Sequence, residues 1–184
     1  MKKFIFGIIA AAIVFGMLIY CSSSDGYQIN DWSWKKEKPK IITWKKLETY
    51  VFEDQGFKVE YPSTFTVDTT GDEVVFWYEV DDEVILMQCY SIRNPEKWDV
   101  QTAADSIVEI RRAIINDSVV MKDMHPDYFY LKGYDDEKGL GFYEQYVVDK
   151  DVIYTYELCY PMRMEKRVRR LMDLVHNWDP EPRR

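Results

Sequence analysis

Histidine and cysteine are scarce in this 184-residue chain, which has two histidines and three cysteines. His125 and His176 lie in separate contexts, and neither has metal-ligand spacing to a cysteine or to a cluster of acidic residues. The chain also lacks a CxxC motif, a Ser-His-Asp order and a paired acid motif. We therefore predict no metal site, no cofactor and no catalytic residue, which argues against an enzyme.

Lysines and arginines are outnumbered by acidic residues after residue 46. Residues 47–184 contain 16 lysines and arginines against 29 aspartates and glutamates, which gives −13 within a total net charge of −8. Residues 31–46 differ, because six lysines there outweigh Asp31 and Glu37. An acidic body repels the phosphates of nucleic acids, so the sequence predicts no nucleic-acid partner.

Long apolar runs are absent with one exception, Phe4–Tyr20, which contains no charge over 17 residues. Lys2 and Lys3 precede it, which is the layout of a secretory signal that exports the chain after it. As a helix the run would measure about 26 Å, against a hydrocarbon core of about 30 Å. Residues 1–21 are therefore predicted to be a signal peptide or an N-terminal membrane anchor.

The end of this run, "LIYCSSSD", resembles a bacterial lipoprotein signal. Leu18 and Ile19 fit the pattern before Cys21, whereas Tyr20 stands where that family usually has Gly, Ala or Ser. The resemblance implies that Cys21 carries a lipid and tethers the protein to a membrane. An uncleaved anchor and ordinary cleavage after Ser23 remain alternatives, and all three place the body outside the cytoplasm.

Residues 22–46 are predicted to form a linker, because they show no sustained period and contain Ser, Gly and Pro. Trp32, Trp34 and Trp44 are interleaved there with lysines, a combination that suits contact with an anionic lipid surface. In the alternative interpretation, Ile41–Trp44 packs on the body as an edge strand or arm, while the lysines pair with its acidic surface.

Residues 47–184 are predicted to form a single α+β sandwich, an antiparallel sheet of about six strands covered by two main helices. Thr102 and Asp105 form a plausible capping pair for the first helix, and the second is expected from about Met164 to Asn177. The segment around His125 is assigned to a connection between strands. The apolar stripe of the first helix consists of Ala103, Ile107, Ile110 and Ile114.

Two stretches of this body, "GFKVEYPSTFTV" and "VVDKDVIYTYELCYP", resemble the PsbP-like group of exported α/β sandwich domains. The first is an aliphatic strand that ends in Tyr-Pro, with an aromatic residue three positions on. The second is a hairpin strand before the final helix. The resemblance implies the fold and an accessory or assembly role, and it carries over no functional-site residue.

Two sets of residues are further site candidates. Cys89 and Cys159 lie in predicted strands and either form a disulfide, which needs Cα atoms within about 7 Å, or remain separate buried thiols. Four basic residues recur at helical spacing and either hold an anionic partner or headgroup, or neutralise acidic neighbours. They are Arg163, Lys166, Arg167 and Arg170.

Tyr143 is the candidate for an exposed aromatic contact. It falls on the opposite parity from Phe142 and Tyr146, so alternation along the strand predicts that it faces outward. An exposed ring of this kind would suit a binding surface for a partner.

Three functions fit these observations. The first is a membrane-tethered exported accessory module that binds another exported protein and has no catalytic activity. The second is an exported carrier of a lipid or small ligand, and the third is an enzyme whose site assembles from scattered residues.

Overall fold

The computed structural model describes residues 46–69, 74–115 and 118–180. This part of the chain contains nine strands and two α-helices. The strands are β1 (Leu47–Phe52), β2 (Phe57–Pro62), β3 (Thr66–Asp68), β4 (Val74–Val80), β5 (Glu83–Arg93), β6 (Ser118–Met124), β7 (Tyr128–Asp135), β8 (Leu140–Val148) and β9 (Val152–Pro161). The helices are α1 (Val100–Ile110), which continues into a π-helical segment (Arg111–Ile115), and α2 (Arg169–His176).

Seven strands form one antiparallel sheet in the order β3-β4-β5-β9-β8-β7-β6, and β1 pairs with β2 in a separate hairpin. The predicted antiparallel sheet with two helices is confirmed, but the expected number of strands is too low. The connection before Tyr128 in fact contains β6. A register shift between Val119 and Met121 interrupts the alternation of β6 and hides it from pattern analysis.

Helix α1 covers one face of the sheet, here called the α1 face. Ala103, Ala104 and Ile107 are fully buried and pack against side chains of β7, β8 and β9. The helix starts one turn earlier than predicted, because the side chain of Asp99 accepts a hydrogen bond from the backbone N–H of Thr102 at 2.8 Å. The members of the α1 face used below are Phe129, Leu131, Phe142, Glu144, Tyr146, Ile153, Glu157 and Cys159.

The β1–β2 hairpin and α2 cover the opposite face, here called the hairpin face. Aromatic rings join the layers: Tyr61 stacks on Phe76 at 4.4 Å between centroids, and Phe57 meets Tyr154 edge to face. The members of the hairpin face used below are Phe76, Met87, Cys89, Tyr130, Tyr143, Gln145, Tyr156, Leu158 and Tyr160. Both faces of the sheet are therefore covered by other elements.

Helix α2 is shorter than predicted. A 3-10 turn (Met162–Met164) precedes it, and the α-helix starts only at Arg169. Leu171 and Val175 of this helix are buried and face the sheet. Neither helix in the described ranges is both long and apolar enough to span a bilayer.

Candidate functional site

A cluster of aromatic rings on the hairpin face brings together both histidines of the chain. His176 at the end of α2 stacks on Tyr130 with centroids 4.4 Å apart, and His125 meets the same ring edge to face at 5.7 Å. Tyr128 stacks on His125 at 4.2 Å, and Tyr143 lies parallel to Tyr130 at 6.0 Å. We call these five residues the His-Tyr cluster.

Hydrogen bonds fix the inner members of the His-Tyr cluster. The hydroxyl of Tyr143 is 2.9 Å from Nδ1 of His176, and the hydroxyl of Tyr130 donates to the carbonyl of His176 at 2.7 Å. Two neighbouring strands, β7 and β8, thus hold the last turn of α2 through their phenols. On the other side of the cluster, Nε2 of His125 is buried and lies 3.6 Å from a carboxylate oxygen of Asp123.

Tyr143 is buried, so the prediction that it is exposed is wrong. Only 8% of its surface is accessible, because α2 covers the side of the sheet that alternation assigned to solvent. Burial, with Asp123 and Asp173 nearby, raises the pKa of Tyr143 to about 12. The phenol therefore stays protonated and acts as a structural hydrogen-bonding group.

A cleft of about 380 Å³, here called the α2 cleft, lies between β2, β9 and α2. Two donors build its inner surface: Nε1 of Trp178 donates to the carbonyl of Lys58 at 2.8 Å, and the hydroxyl of Tyr156 donates to the carbonyl of Glu60 at 2.8 Å. Both rings are largely buried. The first bond fixes the edge of β2 against the end of α2 and the second fixes it against β9, so the cleft is preformed.

Charges of both signs border the α2 cleft. Lys58 and Arg170 contribute positive charge, and Glu60, Asp173 and Asp179 contribute negative charge. Leu174, Asn177 and the two rings complete the lining. Such a surface offers apolar contact flanked by ionic groups, which is the composition of a protein-contact surface with a polar rim.

A second polar cluster is enclosed beneath the α1 face. Arg111 and Glu144 are fully buried and Glu157 is 6% exposed. Nε of Arg111 donates a hydrogen bond to Glu144 at 3.1 Å, and Nη2 forms an ion pair with the same carboxylate. Nη2 also lies 3.3 Å from a carboxylate oxygen of Glu157. The guanidinium carbon lies 4.0 Å from the centroid of the Phe142 ring. The hydroxyl of Tyr146 donates to Glu144 at 2.9 Å. One guanidinium thus holds two carboxylates that face each other on β8 and β9.

Of the two alternatives for Cys89 and Cys159, the disulfide is wrong, because neither cysteine forms a disulfide bond. Although β5 and β9 are neighbours, Cys89 lies opposite Tyr156 and Cys159 lies opposite Leu86. The two side chains therefore point to opposite faces of the sheet, which excludes a bond between them. Sγ of Cys159 instead donates to Glu157 at 3.1 Å, and burial raises the pKa of the Cys89 thiol.

The four basic candidates do not share a helix face, because α2 starts only at Arg169. Nε of Arg163 pairs with Glu83 at 2.6 Å and Nη1 of Arg167 pairs with Asp81 at 2.9 Å, so both neutralise the turn between β4 and β5. Arg170 borders the α2 cleft instead. Lys166 is exposed.

The other candidates fall outside the described residues: Cys21, Trp32, Trp34 and Trp44. Among the described residues, no three metal-ligating side chains come together. Sequence analysis missed both the α2 cleft and the buried Arg111 cluster. One signal for the cluster was available at Glu144, which shares parity with the buried Phe142 and Tyr146 of its strand.

Comparison with solved structures decides the fold family. The chain is similar to the solution structure of cyanobacterial PsbP (CyanoP) from Synechocystis sp. PCC 6803, with a TM-score of 0.50 and 14% identity over 71% of this chain and 89% of that one. The fold is PsbP-like. A crystal structure from Bacteroides thetaiotaomicron VPI-5482 gives a TM-score of 0.45 and 8% identity over 74% of this chain and 49% of that one. No family model and no curated protein matches the sequence.

The similarity to the PsbP structure confirms the fold that the two sequence stretches described above imply. Both stretches contribute to the same region of the structure. The first contains β2, whose outer edge borders the α2 cleft, and the second contains β9, which supplies Tyr156 to it. The two stretches therefore supply part of the lining of the cleft, and α2 and the residues after it supply the rest.

Proposed function

We propose that this protein is an exported accessory module, tethered to a cell-envelope membrane by its N-terminus, that binds another exported protein through the α2 cleft. In this proposal the protein has no catalytic activity of its own. The uncharged run Phe4–Tyr20 and Cys21 support export and tethering. The PsbP-like fold supports an accessory role, since that group consists mostly of accessory and assembly proteins.

The preformed α2 cleft is the observation that carries the proposal. Trp178 and Tyr156 donate their polar hydrogens to backbone carbonyls of β2, so the surface pays little ordering entropy when a partner docks. Lys58 and Arg170 on one hand, and Asp173 and Glu60 on the other, would fix the orientation of a partner that carries both charges.

The histidines support a structural role for the neighbouring cluster. Nδ1 of His176 is engaged by Tyr143, and Nε2 of His125 is buried. A general acid or base needs a nitrogen within hydrogen-bond reach of a substrate proton. In the described structure these two nitrogens contact protein groups or lie buried, which favours binding over catalysis.

Site-specific crosslinking in intact cells tests the proposal. A photoreactive amino acid in place of Asp173 should give a crosslinked product with one exported protein, because this residue borders the α2 cleft. The matched control is the same substitution at Arg112, which is exposed beyond the opposite face. In the crosslinking chain, Arg170→Glu should lower the yield several-fold. Equal yields at residues 173 and 112 would contradict the proposal.

A small-ligand carrier is the second candidate, favoured by the volume of the α2 cleft. About 380 Å³ lies within the range of roughly 300 to 1,000 Å³ that is usual for small-molecule sites. This function predicts a small molecule in the mass spectrum of the natively purified protein, and loss of that molecule in the Leu174→Arg variant. A spectrum without bound mass favours the protein-binding function.

A further inference from the structure

The outer edge of β1 differs from the other strand edges of the described residues. The edge of β2 is covered, because Trp178 and Tyr156 bond to its carbonyls. β3 has only three residues, and β6 contains a bulge and an exposed lysine, which are usual protections of an edge strand. β1 runs for six residues in unbroken register with β2 and has neither proline nor lysine.

The hydrogen-bonding direction of β1 follows from its register. The carbonyls of Lys58 and Glu60 accept bonds from outside the hairpin, so the backbone groups of these residues face away from β1. Val51 and Thr49 are their register partners, and in an antiparallel pair both members of such a position face outward. Leu47, Thr49 and Val51 therefore present their N–H and C=O groups at the outer edge.

The side chains of the same three residues are also exposed. Leu47 is 39% and Val51 is 56% accessible, and they are two of the three large exposed hydrophobic residues in the described chain. Thr49 lies between them and is exposed as well. The edge thus combines backbone groups that no other described strand pairs with, apolar side chains at both ends and a hydroxyl at the centre.

Opposite charges flank this edge. Lys46 precedes β1 and its side chain is 75% exposed, whereas Glu53 and Asp54 follow β1 and are exposed. A groove of about 430 Å³ is lined by the second half of β1 and this acidic turn, residues 50–55. Consider a second strand that runs antiparallel to β1 and, like β1, is preceded by a positive residue and followed by acidic residues. The positive residue of that strand would lie at this groove.

We propose that β1 pairs with β1 of a second copy of this chain, antiparallel and around a twofold axis at Thr49. In that register Thr49 faces its own copy, and Leu47 of each chain faces Val51 of the other. Threonine pairs and apolar pairs are favourable cross-strand neighbours. Lys46 of one chain then lies beside the acidic turn of the other, so each charge meets its opposite. The product is a continuous four-stranded ribbon, β2-β1-β1-β2.

This inference does not depend on the α2 cleft. The cleft borders the outer edge of β2, and the proposed contact uses the opposite edge of the same hairpin. A dimer can therefore exist whether or not crosslinking at Asp173 captures a partner. The interface is small, so we expect a weak dimer that forms in the micromolar range.

Disulfide capture tests the geometry in the full-length protein, oxidised in isolated membranes. Facing residues of a hydrogen-bonded antiparallel pair have Cα atoms about 5.5 Å apart, within the range that a disulfide accepts. Thr49→Cys should therefore give a two-chain product at least tenfold above the unsubstituted chain. Val120→Cys is the matched control, because Val120 is 59% exposed on the edge strand β6. A Thr49→Cys yield no higher than the control overturns the proposal.

Sedimentation of the detergent-solubilised full chain tests the association itself. For the unsubstituted protein at about 100 μM, we expect a protein mass of two chains. For Thr49→Lys we expect a protein mass of one chain, because this substitution would place two ammonium groups opposite each other in the dimer. Val120→Lys should sediment as the unsubstituted chain does. A single-chain mass without substitution, or a two-chain mass that persists in Thr49→Lys, overturns the proposal. Pairing of β1 with a different protein would appear as the first of these results.

Discussion

The two faces of the seven-stranded sheet bury polar groups in different ways. On the α1 face, ionised groups are enclosed and satisfy one another: Arg111 holds Glu144 and Glu157. On the hairpin face, the phenols of Tyr130 and Tyr156 and the indole of Trp178 bond outward to backbone atoms of α2 and β2. One face is a closed electrostatic unit. The other uses its polar groups to attach separate elements, and a surface cleft results at the point of attachment.

This difference assigns different roles to the two faces. The guanidinium of Arg111 lies at the start of the π-helical segment, so its carboxylate partners fix where α1 ends. The phenols of Tyr130 and Tyr143 fix where α2 ends. We interpret the α1 face as the rigid support and the hairpin face as the side that presents binding surfaces.

The largest effect is expected from Arg111→Met. Removing the guanidinium leaves two carboxylates buried and unpaired, which lowers the free energy of unfolding by about 3 to 5 kcal/mol. Urea unfolding measures this loss. Arg112→Met is the control, because the neighbouring side chain is exposed and should change stability by less than about 0.5 kcal/mol. Adding Glu144→Gln and Glu157→Gln should restore part of the loss. Equal effects of the two arginine variants would refute the closed-unit interpretation.

The tyrosines of the hairpin face should make the protein less stable to unfolding at alkaline pH. The pKa of Tyr143 is near 12 in the folded protein, above the value near 10 of an unfolded chain. The folded state therefore retains the proton that the unfolded state releases, so stability is complete below pH 10 and is lost as the pH rises towards 12. By pH 12 this group contributes about 2 kcal/mol to that loss. Buried Tyr156 and Tyr160 act in the same direction, since burial raises their pKa as well.

Replacing the phenol isolates the contribution of Tyr143. In Tyr143→Phe the fall of unfolding free energy between pH 10 and 12 should be shallower, although the variant is less stable at neutral pH through loss of its bond to His176. Identical slopes for Tyr143→Phe and the unsubstituted protein would show that Tyr143 does not titrate in this range.

Each face also has a glycine that lies under an aromatic ring of the next strand. The loss of stability when each glycine is replaced by alanine compares how tightly the two faces are packed. At Gly133 on the α1 face, a Cβ would collide with the backbone carbonyl of Ser118 and the ring of Phe142. At Gly141 on the hairpin face, its three nearest neighbours would all be side-chain atoms of Tyr160, the nearest at 2.7 Å. We expect Gly133→Ala to cost about 2 to 3 kcal/mol and Gly141→Ala about 1 to 2 kcal/mol in thermal or urea unfolding. The reverse order would mean that the hairpin face is the stiffer one.

Much of this architecture follows from local sequence patterns. The apolar stripe with Ala103 and Ile107 identified α1, and strict alternation identified β2 and β9. Alternation failed at Tyr143, because it separates two faces of a strand but does not say that both are covered. It also failed at β6, where a bulge shifts the parity.

The candidate sites were less predictable than the fold. Arg111 looks like an ordinary surface charge at the end of a helix, and only the sheet shows that Glu144 and Glu157 meet it. The α2 cleft joins residues about 120 positions apart, Lys58 and Trp178. Contacts of this kind depend on how whole elements pack, and no spacing along the chain encodes them.

The smallest effect concerns the attachment of β2 on the hairpin face. Trp178→Phe keeps an aromatic ring but removes the bond from Nε1 to the carbonyl of Lys58, so unfolding free energy should fall by about 1 kcal/mol. Hydrogen exchange of β2 amides should accelerate more than exchange in β8. The matched control is Trp77→Phe, a half-buried tryptophan of β4, which should leave β2 exchange unchanged. If Trp178→Phe leaves β2 exchange unaltered, the indole fills space only, and the preformed shape of the α2 cleft must rest on Tyr156 alone.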